Sequence, residues 1–266
     1  MTYAVVTGAS GGIGEAMCEV LARHGHNLVL VARRAGKLDK LAAQLAGGYG
    51  VEAIPVALDL AAAGSCEKLH DLTRERSLEV DILVNNAGFG DHAAFLDAQW
   101  ERQEQMVRLN LLALMHLTHL YGRDMREAGH GHILNLSSVA AFSAGPNMSV
   151  YYASKGFVLQ FSQAVSRELA GTGVTCTALC PGPTATGFAG AAGGMKGSRM
   201  FSFVGAQSAR AVAECGYAAM MAGKPVAYHS PATHLMNLGS RLVPRSVAAR
   251  FAEFVDGKPE SERSNK

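Results

Sequence analysis

The chain has 266 residues, of which 24 are Lys or Arg and 22 are Asp or Glu, so its formal net charge is +2. Because it has no basic run and no aromatic-basic interleaving, this balance is not typical of a nucleic-acid-binding protein. No apolar run approaches the length of a membrane-spanning helix, and the first predicted strand begins almost at the first residue, which leaves no room for a signal peptide. We therefore expect a cytoplasmic protein with no transmembrane segment and no nucleic-acid partner.

The cysteines and histidines do not indicate a metal site. The five cysteines are an odd number without a Cys-x-x-Cys pair, which is typical of small buried side chains in a reducing compartment. The closely spaced pairs His116 and His119, and His130 and His132, have no carboxylate or thiolate at ligand spacing. We expect no bound metal.

Short apolar runs alternate with helical stretches along the whole chain. The predicted strands are residues 3–7, 27–32, 52–58, 81–85, 132–137 and 173–179, with a possible seventh near 225–228, and the longest helical stretches are 99–127 and 151–170. This alternation favours an α/β fold with a doubly wound parallel β-sheet, in which ligands bind at the carboxyl ends of the strands. We expect one domain over residues 1–256 and a disordered polar tail over 257–266.

A glycine-rich loop follows the first strand. The stretch Thr7-Gly8-Ala9-Ser10-Gly11-Gly12-Ile13-Gly14 leads into a helical pattern from Glu15 to Arg23. A strand, a glycine turn and a helix in this order aim free backbone N–H groups at an anion, so the loop predicts a dinucleotide pyrophosphate site.

The end of the second strand, Leu30-Val31-Ala32-Arg33-Arg34, indicates which dinucleotide binds. It carries no acid of the kind that binds the ribose 2′-hydroxyl in NAD-preferring enzymes. A guanidinium can pair with the 2′-phosphate instead, so Arg33, supported by Arg34, favours NADP(H) over NAD(H). The alternative is that one or both arginines are solvated charges at the start of a helix.

Tyr151 and Lys155 are four residues apart, with Ser138 thirteen positions before Tyr151. A Tyr hydroxyl, with a reference pKa of about 10, is a poor base unless something stabilises its anion, and Lys155 would supply that cation from the same helix face. Ser138 would donate a hydrogen bond to a substrate oxygen. This arrangement predicts proton exchange in a carbonyl reductase or alcohol dehydrogenase, with Ser137 and Tyr152 as the neighbouring alternatives.

The order of these motifs, together with Asn85-Asn86-Ala87-Gly88 and Pro181-Gly182, resembles the compact single-domain subtype of the short-chain dehydrogenase/reductase family, from about residue 3 to about residue 188. The resemblance implies a Rossmann-like fold, an NAD(P) cofactor and a catalytic tetrad of Asn110, Ser138, Tyr151 and Lys155. It implies that Lys155 lowers the pKa of Tyr151 and binds the nicotinamide ribose, while Asn110 holds a helix irregularity and a water for proton relay. The implied cofactor contacts are Gly8, Ser10, Gly12, Ile13, Gly14, Arg33, Arg34, Asp59, Leu60, Asn86, Ala87, Gly88, Tyr151, Lys155, Pro181, Gly182, Thr184 and Thr186.

Several expectations leave alternatives open. Asp59 either approaches the adenine amino group or caps the following helix, or does both. Residues 187–206 are rich in Gly, Met and Phe, which favours a lid over a hydrophobic substrate. The stretch from Leu242 to Val255 predicts a last amphipathic helix that packs on the lid, on a subunit or on a membrane surface.

The resemblance also implies partners. The substrate would be a small or lipophilic carbonyl or alcohol, such as a ketone, a ketoacyl compound or a hydroxysteroid. A homodimer or homotetramer would form through the helices at 99–127 and 151–170. The alternative to an enzyme is an NADP(H)-binding sensor or scaffold without turnover.

Overall fold

The computed structural model describes residues 2–186 and 207–257. The predicted lid at 187–206 and the tail from 258 onward lie outside these residues. Within the described ranges, no helix is both long enough and apolar enough to span a membrane.

The centre of the fold is a seven-stranded sheet. Its strands are β1 (Thr2–Thr7), β2 (Asn27–Ala32), β3 (Ala53–Ala57), β4 (Glu79–Asn85), β5 (Gly131–Leu136), β6 (Val174–Cys180) and β7 (Val226–Tyr228). Every neighbouring pair is parallel, and the spatial order is β3-β2-β1-β4-β5-β6-β7. The predicted Rossmann-like doubly wound sheet is confirmed, including its possible seventh strand. The order reverses between β1 and β4, which is where such sheets open a ligand crevice.

Helices cover both faces of the sheet. They are α1 (Gly12–Arg23), α2 (Ala35–Tyr49), α3 (Ser65–Glu75), α4 (Trp100–Val107), α5 (Leu114–Ala128), α6 (Ser149–Glu168), α7 (Ala209–Met221), α8 (Pro231–Leu242) and α9 (Arg245–Asp256). One core cluster joins α1, α2 and α7 to the sheet, and a second joins α3 and α5 to its other face. In β1, Val6 packs in the first cluster and Val5 in the second. A strand buried on both faces needs apolar side chains at successive positions, which explains why β1 appears in the sequence as an apolar run.

The predicted helix at 99–127 is interrupted. A π-helical segment from Arg108 to Ala113 separates α4 from α5. Asn110 lies inside this segment and is buried. Single π-helical turns inside α-helices frequently occur at functional sites.

The predicted helix from Leu242 to Val255 begins later than expected. Leu242 ends α8, Val243 and Pro244 have extended backbone angles, and α9 starts at Arg245. The cause is Pro244, because a residue that precedes proline is disfavoured in the helical conformation. Helix α8 begins with a capping box between Ser230 and Thr233.

Candidate active site at the carboxyl ends of the strands

The glycine loop lies between β1 and α1. Gly8 and Gly12 have φ angles of 68° and 61°, a left-handed region that other residues rarely adopt. A Cβ atom on Gly14 would collide with the carbonyl oxygen of Gly8, so α1 packs directly on the loop. Gly11 at the N-cap of α1 has no side-chain cap. The first N–H groups of α1 therefore remain available to an anion, as a pyrophosphate site requires.

Asn86 fixes the crevice between β1 and β4. Its Nδ2 atom donates to the carbonyl oxygens of Thr7, at 2.9 Å, and Gly8, at 3.3 Å. The Thr7 hydroxyl oxygen accepts from the backbone N–H groups of Asn86, at 2.9 Å, and Ala87, at 3.0 Å. The Asn86 side chain therefore braces the glycine loop. Gly88 follows, and a Cβ atom on it would lie 2.9 Å from Asn110 Oδ1.

The two arginines after β2 differ in their surroundings. Arg34 Nη2 donates to the carbonyl oxygen of Ser10, at 3.1 Å, and to Ser10 Oγ, at 3.0 Å, so this guanidinium lies against the glycine loop. Arg33 is exposed and has no hydrogen bond or ion pair within the described part of the chain. Both side chains are at the end of β2, where an adenosine ribose would lie.

Asp59 and Leu60 lie at the end of β3. The Asp59 side chain is exposed, and its Oδ1 accepts from the backbone N–H of Ala61 at 3.0 Å. This is a local turn rather than the predicted helix cap, because α3 starts later, with Gly64 as its N-cap. Leu60 and Ile13, both predicted cofactor contacts, pack their side chains against the two core clusters.

Asn110 connects two parts of the site. Its Oδ1 accepts from Phe89 N at 3.1 Å, and its Nδ2 donates to Phe89 O at 2.9 Å and to Ser154 Oγ at 3.2 Å. These bonds use both ends of the amide and join the π-helical segment to the loop after β4 and to α6. Ser154, whose hydroxyl donates to Tyr151 O at 2.7 Å, is a partner that the sequence motifs did not indicate.

The two serines after β5 have different roles. Ser137 is buried and its hydroxyl donates to Lys155 O at 2.9 Å. The Ser138 hydroxyl is hydrogen-bonded to the Tyr151 phenol and accepts from Ala140 N at 3.1 Å. The structure thus places Ser138 beside Tyr151, while Ser137 holds the backbone of α6.

The pKa of Tyr151 is raised in the folded chain. The pKa is raised to about 12: burial is the largest cause, the hydrogen bond with Ser138 acts in the opposite direction, and the charge of Asp256 adds to the rise. Lys155 Nζ lies 5.8 Å from the centre of the Tyr151 ring and donates to Leu136 O at 2.8 Å. Burial lowers the pKa of Lys155 to about 8. Desolvation of the phenol is thus the dominant influence on the Tyr151 pKa, and the lowering of that pKa by Lys155 stays a prediction.

The segment after β6 returns to the glycine loop. Pro181 O accepts from Val139 N at 3.0 Å, which ties this segment to the loop that carries Ser138. The Thr184 hydroxyl donates to Gly182 O at 2.9 Å, and the Thr186 methyl group lies 3.2 Å from where a Cβ on Gly12 would be. These contacts link the glycine loop, the Ser138 loop and the segment after β6 at the carboxyl ends of the strands.

The main feature that the motifs missed is at the other end of the chain. Tyr152 donates its hydroxyl to Asp256 Oδ2 at 2.5 Å, and Asp256 is the last residue of α9. No local pattern marks this contact, because the two residues are 104 positions apart. Within the described residues, no group of three or more His, Cys, Asp or Glu side chains is arranged to hold a metal ion.

Comparison with known proteins gives a consistent result. A model of the short chain dehydrogenase family matches residues 2–196. A 7beta-hydroxysteroid dehydrogenase of Collinsella aerofaciens is 32% identical over 184 residues, which are 69% of each chain. A 3-oxoacyl-[acyl-carrier-protein] reductase of Synechocystis sp. is 35% identical over 184 residues, 69% of this chain and 74% of that protein.

A solved structure extends the similarity beyond the motifs. The short-chain dehydrogenase from Sphingobium yanoikuyae in complex with NADPH superimposes with a TM-score of 0.80 at 31% identity, covering 91% of this chain and 94% of that one. The family model and the similarity to this solved structure both agree with the order of the motifs from the glycine loop to Thr186. The chain belongs to the short-chain dehydrogenase/reductase family.

Proposed function

We propose that the protein is an NADP(H)-dependent oxidoreductase that interconverts a carbonyl and a secondary alcohol on a small or lipophilic substrate. The observation that carries this proposal is the hydrogen-bonded pair Ser138 and Tyr151, with buried Lys155 beside it, at the edge of the glycine-loop crevice. A phenol and a hydroxyl held together can share one substrate oxygen.

The cofactor fits the residues present. The glycine loop presents uncapped helix N–H groups, and no side chain could occupy the positions of Gly8 and Gly14 without displacing the loop. Gly8, Gly12 and Gly14 would hold the pyrophosphate, Arg33 and Arg34 the 2′-phosphate, and Lys155 the nicotinamide ribose. NADP(H), when bound, supplies or accepts the hydride.

The titrating groups suit the reduction of a carbonyl. With its pKa raised to about 12, Tyr151 is protonated at neutral pH and can donate its proton to the carbonyl oxygen. Lys155, with a pKa of about 8, is mostly charged at pH 7 and stabilises the phenolate that remains. Ser138 orients the same oxygen. In the opposite direction Tyr151 must first lose its proton, so we expect alcohol oxidation to accelerate as the pH rises.

Preference for NADP(H) follows from the charges at the end of β2. Arg33 is exposed and without a protein partner in the described ranges, so its guanidinium can pair with a phosphate. Arg34 holds Ser10 and adds positive charge beside the same loop. The NADPH complex of the relative from Sphingobium yanoikuyae agrees with this choice.

The proposed substrate is lipophilic because the surroundings of Tyr151 are apolar. Tyr151 packs in a buried cluster whose other members include Met106, Met148 and Ala252, with Phe89 at its border. The names of the two curated relatives, a hydroxysteroid dehydrogenase and a 3-oxoacyl reductase, support the same class of substrate.

The test is NADPH consumption with a panel of ketones, 3-oxoacyl thioesters and oxosteroids. Replacing Tyr151 by Phe removes the proton donor and keeps the ring, so turnover should fall roughly a hundredfold or more. Tyr49→Phe is the matched control, because Tyr49 is exposed at the end of α2 and should leave turnover unchanged. A wild-type protein that binds NADPH but reduces nothing in the panel, and oxidises none of the corresponding alcohols, would favour the sensor or scaffold alternative.

We also propose that the protein is a homo-oligomer paired through α5 and α6. Phe157 and Phe161 stack with ring centres 5.8 Å apart on α6, and Phe157 is 40% exposed. Leu112, in the π-helical segment that precedes α5, is 50% exposed. Light scattering at micromolar concentration should give the mass of a dimer or tetramer, and Phe157→Glu should reduce it. A monomeric mass for the wild type contradicts this assignment.

A further inference from the structure

A buried carboxyl group lies at the end of α9. Asp256 is 2% exposed and is the last residue of the helix, where the partial negative charge of the backbone carbonyls disfavours an anion. Its hydrogen-bond partner is the Tyr152 hydroxyl, at 2.5 Å. A carboxylate in this position carries both a desolvation cost and a helix-end cost, so a hydrophobic residue would serve packing better.

Three chain segments meet around this carboxyl group. His92, in the loop after β4, is 5% exposed, and neither of its ring nitrogens has a hydrogen-bond partner in the described part of the chain. Asn147, just before α6, donates from its side-chain Nδ2 to Gly257 O at 3.4 Å, and its backbone carbonyl oxygen accepts from Ala93 N at 2.8 Å. Asn147 has a φ of 65°, a strained conformation for a residue other than glycine. We call Asp256, Tyr152, His92, Asn147 and Gly257 the C-terminal clamp.

The clamp is adjacent to Tyr151. The rings of Tyr151 and Tyr152 are 6.3 Å apart in an edge-to-face arrangement. Ala252, one turn before Asp256, packs with Tyr151 in the same buried cluster. Helix α9 therefore forms part of the wall behind the residue that the proposed function assigns as the proton donor.

We propose that Asp256 is a positioning residue for Tyr151: it anchors α9 to α6 through Tyr152 and places a buried carboxylate beside the phenol that exchanges the proton. This inference rests on the proposed function. It assigns to the C-terminal helix a part in the chemistry of Tyr151 as well as a part in packing.

The electrostatics support this role. Burial raises the pKa of Asp256, while the hydrogen bond from Tyr152 and the nearby His92 lower it. In the described part of the chain, the groups that face Tyr151 include Ser138 from the loop after β5, Lys155 and Tyr152 from α6, and Asp256 from α9. Of these, charged Asp256 opposes the phenolate and raises the pKa of Tyr151. Removing its charge should therefore lower the pKa of Tyr151.

The experiment follows alcohol oxidation against pH, because its rate rises as Tyr151 loses its proton. Asp256→Asn keeps an oxygen that can accept from Tyr152 and removes the charge, so the rise should move to lower pH by roughly half a unit or more. Asp256→Glu retains the charge, so its pH profile of alcohol oxidation should stay near that of the wild type even where the variant protein is less stable. Glu253→Gln is the matched control, because this exposed carboxylate lies on the same helix and should not move the profile.

A second measurement tests the anchor without turnover. Asp256→Asn, Tyr152→Phe and the double variant form a mutant cycle in the free energy of unfolding, and we expect the two losses to be non-additive. Tyr152→Phe keeps the carboxylate and loses the anchor, so Tyr151 would be held less firmly. Turnover, measured separately, should therefore show a lower kcat with little change in KM.

The two proposals can fail separately. If Tyr151→Phe abolishes turnover while the profile of Asp256→Asn coincides with that of the wild type, the role of Asp256 is wrong and the proposed function stands. If Tyr151→Phe retains turnover, the proposed function fails. Additive losses in the mutant cycle would show that Asp256 and Tyr152 do not form an anchor.

Discussion

The candidate site has two halves, a glycine-loop half around the ends of β1 and β4 and a catalytic half around α6, and different kinds of contact stabilise them. Around the ends of β1 and β4, the contacts join backbone groups to small or uncharged side chains, as between Asn86 Nδ2 and the carbonyl oxygens of Thr7 and Gly8. Around α6, ionisable groups are buried: the Tyr152 hydroxyl donates to Asp256, and burial raises the pKa of Tyr151 and lowers that of Lys155. Steric fit determines the geometry of the glycine-loop half, whereas desolvation and charge determine the properties of the catalytic half.

This difference teaches which changes each half tolerates. A methyl group added at Gly8 or Gly14 of the glycine loop has no space. In the catalytic half, a change of similar size matters less than a change of charge, because an unpaired buried charge costs several kcal/mol. Variants in the first half should therefore act through binding and folding at every pH, and those in the second half through pH dependence.

The largest expected effect outside the catalytic tyrosine is in the glycine loop. In Gly14→Ala, the new methyl group would overlap the carbonyl oxygen of Gly8, so we expect a loss of stability of about 1–3 kcal/mol and the loss of measurable NADPH binding. Gly47→Ala in α2 is the matched control, because nothing lies within 4 Å of its Cβ position. That control should be stabilised by about 0.5–1 kcal/mol. Urea unfolding and cofactor titration measure both variants, and equal stability of the two would contradict the steric account.

The second largest expected effect distinguishes the roles of Arg33 and Arg34 in cofactor binding. One charge-assisted hydrogen bond contributes about 1.5–3 kcal/mol, so Arg33 should favour NADPH over NADH by roughly tenfold or more in affinity. Arg33→Asp should abolish this preference, since it adds repulsion to the lost bond and leaves NADH binding similar or slightly improved. Arg34→Ala should weaken both cofactors, because Arg34 holds Ser10 of the loop, and should weaken NADPH more than NADH, because a positive charge beside the 2′-phosphate is also lost. Fluorescence titration with NADPH and with NADH measures both affinities in each variant. If the preference for NADPH does not change in Arg33→Asp, the proposal of an NADP-dependent enzyme loses its basis.

The smallest effect is a pH dependence of stability from the catalytic half. Burial lowers the pKa of Lys155 from 10.5 to about 8, so the folded state binds its proton less tightly than the unfolded state does. The resulting penalty is full below about pH 8 and is relieved as the pH rises toward 10.5, since the unfolded state binds more protons in this window. Lys155→Met should therefore be more stable than the wild type at neutral pH, by a margin that shrinks between these two pH values. Urea unfolding at several pH values tests this, and a constant margin would refute the lowered pKa.

The same contrast explains what could be predicted from the sequence. The glycine loop, the strand ends and the spacing of Tyr151 and Lys155 leave local patterns, because their geometry is set by neighbouring residues. The raised pKa of Tyr151 depends on burial by distant segments, so no local pattern indicates it.

Two further features left no local pattern. Asp256 resembles a surface charge at the end of an amphipathic helix until the fold brings it to Tyr152. The hydrogen bonds from Arg34 to Ser10 likewise depend on how β2 and the glycine loop meet in the fold. Which of two adjacent arginines contacts the loop could not be read from their order in the chain.

The most direct test of the central claim follows the hydride itself. The wild-type protein is incubated with the best carbonyl substrate of the panel and with NADPH deuterated at the transferable position of nicotinamide C4, and the alcohol product is analysed by mass spectrometry. If the crevice binds the cofactor and Tyr151 supplies the proton, the product carries one deuterium on its carbinol carbon, and Tyr151→Phe forms this product at a rate reduced by roughly a hundredfold or more. A product without deuterium, or a deuterated product formed by Tyr151→Phe as fast as by the wild type, would contradict the account.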